Sequence, residues 1–345
     1  MKKKATFNDI AKQAKVSPAT VTRVAAGLHN VDPAIRQKVR DAAARLGVDL
    51  EKRKGDNAGR VIAYVLANRD VLHPFQARVL TGAEKYISEQ GWELVFLTFR
   101  YDQNTPAREL HLPQILSRRT PARGVILAGV NSHSLLEALR HRKVPFAVLG
   151  NNLLGGGDEQ CDQASADDVS GGYDVTRHLI RQGHRAILFI GNRNFPWFAR
   201  CGEGYRRAMA EAGLEPRWSE IQSDGRELGY LSTKSILSRK DRVTAIFAGS
   251  DGVAMGAYDA LRESQIPVPG GISVAGFDDT EAANLWPALT SVRSFPEELG
   301  RHLAELTLKR IMNPLLPPQR IVLPTQLVVR DSTKAPGAVA EAGRA

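Results

Sequence analysis

Cysteine is almost missing. The chain of 345 residues has two, Cys161 and Cys201. Two are too few for a disulfide framework, and their spacing fits no metal-ligand pattern. A reducing cytoplasm is the expected compartment. Long apolar runs are also missing, and none approaches the roughly 20 residues that span a bilayer. The N-terminus has basic residues with no apolar core behind them, so no secretory leader is expected. The eight histidines make no HxxxH or HxH pair, which excludes the usual zinc sites. NNLLGGG lacks both the GxGxxG spacing and a phosphate-loop lysine. Asp278, Asp279 and Glu281 crowd one turn and cannot flank a glycosidic bond, so they are expected to cap a helix and hold a polar ligand. The C-terminus has no leucine heptads, so no terminal coiled coil is expected. Neither enzymatic activity nor a cofactor is expected.

What is present is a strongly asymmetric charge. Residues 1–60 hold 14 lysines and arginines against 6 acids, so +8 of the net +10 lies in about a sixth of the chain. A small basic head on a nearly neutral body points to a polyanion partner. Three short helices fit the head. The first opens at Thr6 and repeats Phe7, Ile10, Ala11 and Ala14 on one face. The second follows Ser17-Pro18, a capping serine before a proline at the first helical position. It shows Val21 and Val24 on one face and ends at Gly27. The third opens at Asp32-Pro33, buries Ile35, Val39, Ala42, Ala43 and Leu46, and ends at Gly47. A tight turn, Lys15-Val16-Ser17, separates the first two. This is the helix-turn-helix plan.

The stretch VSPATVTRVAAG (16–27) is too small and polar to be a core helix. A helix that enters a major groove needs a slim polar face near its start. Pro18, Ala19, Thr22 and Arg23 supply one. Ser17 and Thr20 can bond phosphates beside the amides of the helix start. DLEKRKGDNAGR (49–60) then reads as a linker.

From Val61 the pattern changes. Apolar runs at 61–67, 93–99, 124–130, 146–150, 186–191, 244–250 and 273–278 alternate with helical segments. That indicates parallel sheets covered on both faces. About 270 residues is large for one such sheet, so two lobes are expected. The final APGAVAEAGRA lacks a core pattern and is expected to be disordered.

The segment ATFNDIAKQAKVSPATVTRVAAGLHNVDPAIRQKVRDAAARLG resembles the DNA-binding head of the LacI/GalR family of bacterial regulators. The likeness continues in GHRAILFIGN, EGYRRAMAEAGL, TAIFAGSDGVAMGAYDALRE, ISVAGFDDTE and LTSVRSFPEELGRHLAELTLKRI. It implies a multidomain fold. An all-α helix-turn-helix head (1–48) and an atypical hinge (49–60) precede an α/β periplasmic-binding-protein-like body of two Rossmann-like lobes (61–331). Lobe 1 is placed at about 61–161 and 296–322, lobe 2 at about 162–292 and 323–331, and a disordered tail at 332–345. It also implies a homodimer on double-stranded operator DNA, allosterically controlled by a small molecule, by default a carbohydrate, bound between the lobes. Two rivals stay open: a sugar-binding protein without a gene-regulatory role, and a regulator with a vestigial cleft.

Carried across by position, the resemblance puts Thr6, Ser17, Thr20, Thr22, Arg23 and His29 at DNA contacts. Pro18 and Ala19 fall on the pair that discriminates operators. Ala26 stands where the family often has asparagine. In the cleft, Asp278 matches an effector-contacting position, and Ser250-Asp251 matches the family's Asn-Asp pair. His73 and Phe75 follow the first body strand, where the family places contacts. Asn151 follows the fourth strand at the end where crevices form. The family's effector-binding arginine falls on Cys201, with Arg200 one residue away as a substitute. Trp197 and Phe198 have two readings, stacking on ligand or packing between lobes. Asp251 and Asp278 also have two, ligand contact or helix capping.

The hinge departs from the family pattern. Val48 and Leu50 occupy the places of its tyrosine and proline, and no Ala-x-x-Leu follows. Lys52, Arg53 and Lys54 are expected to hold phosphates instead of wedging the minor groove. A DNA-bending assay on the operator complex is therefore expected to show no sharp central kink, and a sharp kink would contradict this reading of the linker.

Overall fold

Cap chemistry and helical periodicity set the head. The computed structural model describes residues 6–25, 31–48, 60–69, 73–116, 122–155, 158–239 and 242–337, the side chains of 19, 22 and 25 excepted. The chain divides into two compact units, 1–60 and 61–345. In the first, α1 (Phe7–Ala14) opens with a capping box. The Thr6 hydroxyl accepts from Asp9 N, and Asp9 accepts from Thr6 N. Lys15, at φ +55°, turns the chain into α2 (Pro18–Ala25). Asp32 caps α3 (Pro33–Arg45), and Gly47 follows it at φ +65°. Ile10, Ala11, Ala14, Val21, Val24, Val39, Ala42 and Ala43 are buried together, joined by Val31 and Val48. Ile35 departs from the expected face and is 36% exposed. It sits in the first turn of α3, away from the residues that meet α1 and α2.

The body alternates strands and helices. Its elements run β1 (Val61–Ala67), α4 (Pro74–Glu89), β2 (Glu93–Phe99), β3 (Ala122–Gly129), α5 (His133–His141), β4 (Phe146–Leu149), β5 (Asp162–Ala166) and α6 (Asp168–Arg181). Next come β6 (Ile187–Ile190), α7 (Pro196–Glu211), β7 (Arg217–Trp218), α8 (Gly225–Ser238), β8 (Ala245–Ala248), α9 (Asp251–Glu263) and β9 (Ser273–Asp278). The last are β10 (Thr290–Arg293), α10 (Pro296–Met312), β11 (Arg320–Leu323) and β12 (Gln326–Val328). Two six-stranded sheets result, in the orders β11-β5-β4-β3-β1-β2 and β12-β10-β9-β8-β6-β7. Among the described residues every strand pairing is parallel except β10 with β12. β1 pairs β2 and β3 with Tyr64 opposite Phe96 and Ile126. Being buried on both faces, it reads as the unbroken apolar run VIAYVLA.

Each sheet has a core on both sides. In the first lobe, α4 and α10 cover one face, and α5 with the 107–116 segment covers the other. In the second, α8 and α9 oppose α6 and α7. The chain crosses between lobes after β5, after β10 and between β11 and β12. Asp167 N donates to Leu323 O at 2.9 Å, which ties two of these crossings together.

Three expectations are corrected. Five strands were not anticipated: β5, β7, β10, β11 and β12. They are short or polar, and DQASA and QLV carry no apolar run. The boundary at 161/162 is too early, because β5 pairs β4 and β11 and so belongs to the first lobe. The first crossing therefore follows Ala166. The expected tail is also too long. Ser332 is fully buried and donates to Val274 O at 2.6 Å, and Lys334 N donates to Ser273 Oγ at 3.1 Å. Residues 332–334 close the second lobe because they satisfy the start of β9. Residues 338–345 lie outside the described residues.

α4 and α10 approach at backbone distance. A Cβ at Gly82 would lie 1.9 Å from Glu297 O, and one at Gly300 1.9 Å from Val79 O. Neither backbone can give way without parting the helices. Gly82→Ala and Gly300→Ala are each expected to lower stability by about 1–3 kcal/mol or more, read as a drop in the urea midpoint.

Candidate functional site

The head offers the first surface. Ser17, Pro18 and Arg23 are exposed along α2. Ser17 Oγ accepts from Thr20 N at 3.1 Å and lies 2.9 Å from Thr20 Oγ1, so the two hydroxyls meet at the helix start. Thr6 is exposed, with its hydroxyl on Asp9 at 2.7 Å. Ala19 and Thr22 lie on α2, and their side chains are outside the description. His29, Lys52, Arg53 and Lys54 lie outside the described residues. The head thus has a helix start with two paired hydroxyls and an exposed arginine about a turn and a half on, a shape suited to a groove flanked by phosphates.

The second site lies between the lobes of the body. A cleft there is lined by Arg69, His73, Phe75 and Gln76 from the end of β1 and the start of α4. Asn151 and Asn152 follow β4, and Asp168 and Cys201 come from α6 and α7. Trp197, Gly249, Ser250, Phe277 and Asp278 complete it. Strand C-terminal ends from both sheets converge here, where α/β folds place ligands. Phe195 stacks on Trp197 at 4.8 Å between ring centroids, and the Arg69 guanidinium lies 4.7 Å over the Trp197 ring. Arg69 also pairs with Asp224, which caps α8, so one side chain of the first lobe clasps the second.

Asp278 is aimed by a strained turn. Asp278 and Asp279 have φ of +97° and +53°, the left-handed region that side chains disfavour. Asp251 Oδ2 accepts from Thr280 N at 2.8 Å and Glu281 N at 3.1 Å, and its Oδ1 accepts from Ser291 Oγ at 2.7 Å. Asp279 pairs with Arg293 and Arg330, each at 2.7 Å. Arg78 reaches across from α4 and donates to Thr280 O at 2.7 Å.

Burial governs the charges. It pushes the Asp278 carboxyl well up, and Asp251 and Asp168 add to the rise. It also raises Asp168, against the pull of Arg200. Burial, with Asp168 and Asp278, keeps the Cys201 thiol protonated. Burial and then Arg69 push His73 down to about 4, so its ring is neutral at neutral pH. Buried His73 Nδ1 and Gln76 Oε1 have no hydrogen-bond partner among the described residues. Unmade bonds of this kind are costly unless something fills them.

Residues 6–47 match the description "Bacterial regulatory proteins, lacI family", and residues 176–333 match "Periplasmic binding protein-like domain". The chain is 31% identical over 347 residues to the HTH-type transcriptional regulator CelR of Thermobifida fusca, covering 96% of this chain and 99% of that protein. It is 30% identical over 339 residues to the ribose operon repressor of Haemophilus influenzae, covering 95% and 98%. The structure resembles that of a transcriptional regulator CelR–cellobiose complex with a TM-score of 0.69 and 29% identity, covering 95% of this chain and all of that one. The chain belongs to the lacI family of bacterial regulatory proteins.

In this LacI-family regulator the head is the DNA-binding module, and the body has the periplasmic-binding-protein fold. Of the anticipated cleft residues, His73, Phe75, Asn151, Trp197, Ser250 and Asp278 line the cavity. Three do not. Phe198 is fully buried against the backbones of Gly191 and Gly249, and only its neighbour Trp197 turns to the cleft. Arg200 bonds Asp168 Oδ2 at 3.1 Å and Asn151 O, so it braces the lining from behind. Asp251 is consumed by the turn it holds.

Arg69, Gln76, Asn152, Asp168, Cys201, Gly249 and Phe277 were not assigned to the cleft from sequence. Arg69 sat at a strand end and could have been found there. Asp168 follows β5, a strand with no apolar signal.

Asp251 also carries a pH signature. Burial raises its carboxyl from 3.8 to about 6, despite the bonds from Ser291, Glu281 and Thr280. The folded chain thus holds this proton more tightly than the unfolded one. The contribution to stability is full below about pH 4 and is lost as pH rises through about 6. The stability advantage of the native chain over Asp251→Asn is expected to shrink between pH 4 and 6, read from urea midpoints. An advantage that stays constant would contradict the assignment.

Proposed function

We propose that this regulator is a transcriptional repressor that binds a near-palindromic operator as a homodimer in the cytoplasm, under the control of a carbohydrate held between its lobes. It performs no enzymatic reaction. The observation that carries the ligand reading is the pair of buried, unpartnered polar atoms, His73 Nδ1 and Gln76 Oε1, beside the stacked Trp197. A sugar presents hydroxyls to such atoms and an apolar ring face to the indole. One relative is named for the ribose operon, and another has been solved with cellobiose.

In the head, the Ser17 and Thr20 hydroxyls and the first amides of α2 hold phosphates. The exposed Arg23 and the Pro18-Ala19 face read base edges. Two heads related by a dyad read half-sites about one DNA turn apart. Ligand affinity and operator affinity are then reciprocally coupled, because a ligand that prefers one angle between the lobes shifts the population able to bind DNA.

Selection of sites from a random duplex pool by the full-length chain, followed by fluorescence anisotropy, tests this. A near-palindromic site is expected, with affinity falling steeply as salt rises. Arg23→Ala is expected to cost about 1–3 kcal/mol of operator affinity with the fold intact. Ribose or cellobiose at millimolar concentration is expected to change the operator affinity. Binding without sequence preference, or an Arg23→Ala chain that binds as well as the native one, would end the proposal for the head.

A further inference from the structure

The strands at the chain crossings stand together at one edge of each sheet, β5 and β11 in the first and β10 and β12 in the second. β1 lies three places in from β5, about 14 Å at the usual strand spacing, and β7 forms the far edge of the second sheet. Arg69 follows β1, and Asp224 lies between β7 and α8. Their ion pair thus bridges the lobes on the side away from the crossings. Two further interlobe bonds stand close to the crossings. Arg200 reaches Asn151 O just after β4, and Arg78 reaches Thr280 O just after β9. β4 and β9 are the immediate neighbours of β5 and β10. Parting the lobes about the crossings moves the far side most, so the Arg69–Asp224 pair is the bond that opening stretches most.

The protein's own atoms seal the cleft floor. Gln76, Asn151, Cys201, Ser250 and Phe277 line it, and each is at most 4% exposed. The rim, with Arg69, His73, Trp197 and Asp224, is half-buried. A sugar ring reaches the floor only when the lobes part. Among the described residues, the bonding and ring partners of Arg69 all belong to the second lobe: Asp224, Phe195 and Trp197. One side chain of the first lobe is therefore held at the rim by charge and by two aromatic rings.

Resting on the reading of this cleft as a carbohydrate site, we propose that the Arg69–Asp224 pair is a latch that governs ligand entry and release. With the pair formed, the lobes stay together and the floor is shut off. When it breaks, the guanidinium leaves the Phe195 and Trp197 rings along with the carboxylate, and the rim opens. Ligand is taken up only by the opened fraction, so the rate of uptake scales with that fraction. A bound ligand leaves through the same opening. Weakening the latch therefore speeds entry and release alike and leaves affinity nearly unchanged. Loss of a residue that only touches ligand speeds release and weakens affinity instead.

Two readouts on the full-length chain test this. The first needs no ligand. Cys201 lies on the cleft floor, and Cys161 lies in the core of the first lobe. Iodoacetamide labelling, read by peptide mass spectrometry, reports opening at Cys201 and loosening of the first lobe at Cys161. Asp224→Asn removes the charge, and its amide oxygen can still accept from Gly225 N, so α8 keeps its cap. Arg69→Gln removes the other partner. Each variant is expected to label Cys201 about three- to tenfold faster with Cys161 unchanged. The double variant is expected to label no faster than Arg69→Gln alone. The second readout is stopped-flow fluorescence with ribose and cellobiose as probes. Asp224→Asn is expected to raise the association and dissociation rates by the same factor. Cys201 labelling at the native rate in both variants overturns the inference and leaves the carbohydrate reading standing. So does a variant that speeds release alone. If Cys161 speeds up as much as Cys201, the pair supports the fold and is no latch. If neither sugar binds, the carbohydrate reading falls, and the labelling still decides whether the pair holds the lobes together.

Discussion

Asp251 accepts three hydrogen bonds inside the second lobe, from the amides of Thr280 and Glu281 and from the Ser291 hydroxyl. Without them the turn after β9 has no reason to keep two successive aspartates in the left-handed region. That turn directs Asp278 into the cleft, sets Asp279 between two arginines and offers Thr280 O to Arg78 of the first lobe. A carboxylate that is itself costly to bury thus fixes the geometry of the ligand wall and one bridge between the lobes. Replacing it with an apolar residue would strand three donors at once.

Arginine performs the matching task across the cleft. Arg69 reaches Asp224, Arg78 reaches Thr280 O, and Arg200 reaches Asn151 O. Each spans the two lobes, ending on the cap of α8 at Asp224 or on Thr280 and Asn151 just after β9 and β4. The planar fork suits this, since one group can stack on an indole, as Arg69 does on Trp197, while bonding a carboxylate edge-on. The lobes are therefore joined by directional bonds at the rim and by the three chain crossings, and the apolar cores stay separate.

The sequence was informative where apolar residues form an unbroken run or where a cap residue stands before a helical pattern. β1, β2 and β9 have the bounds of their apolar runs, and the caps Thr6 and Asp32 stand where side-chain chemistry predicts. It was uninformative where a strand is held by its neighbours. DQASA becomes β5 only because β4 and β11 flank it, and no local pattern announces that. In the cleft, single positions were legible and roles were not. Trp197 and Phe198 are adjacent aromatics with equal claims, and Gly249, which leaves room for the Phe198 ring, decides between them. Arg200 was assigned to ligand contact, but its bonds to Asp168 and Asn151 O place it behind the wall. Reading that requires knowing where the first crossing falls.

The span from Asp278 to Glu297 has a mechanical consequence. These twenty residues contain, in order, the ligand-facing carboxylate, the strained turn, β10, a crossing between lobes and the first turn of α10. The last of them lies against Gly82 with no room between the backbones. One continuous stretch of chain therefore joins the ligand wall of the second lobe to the close-packed α4–α10 pair of the first.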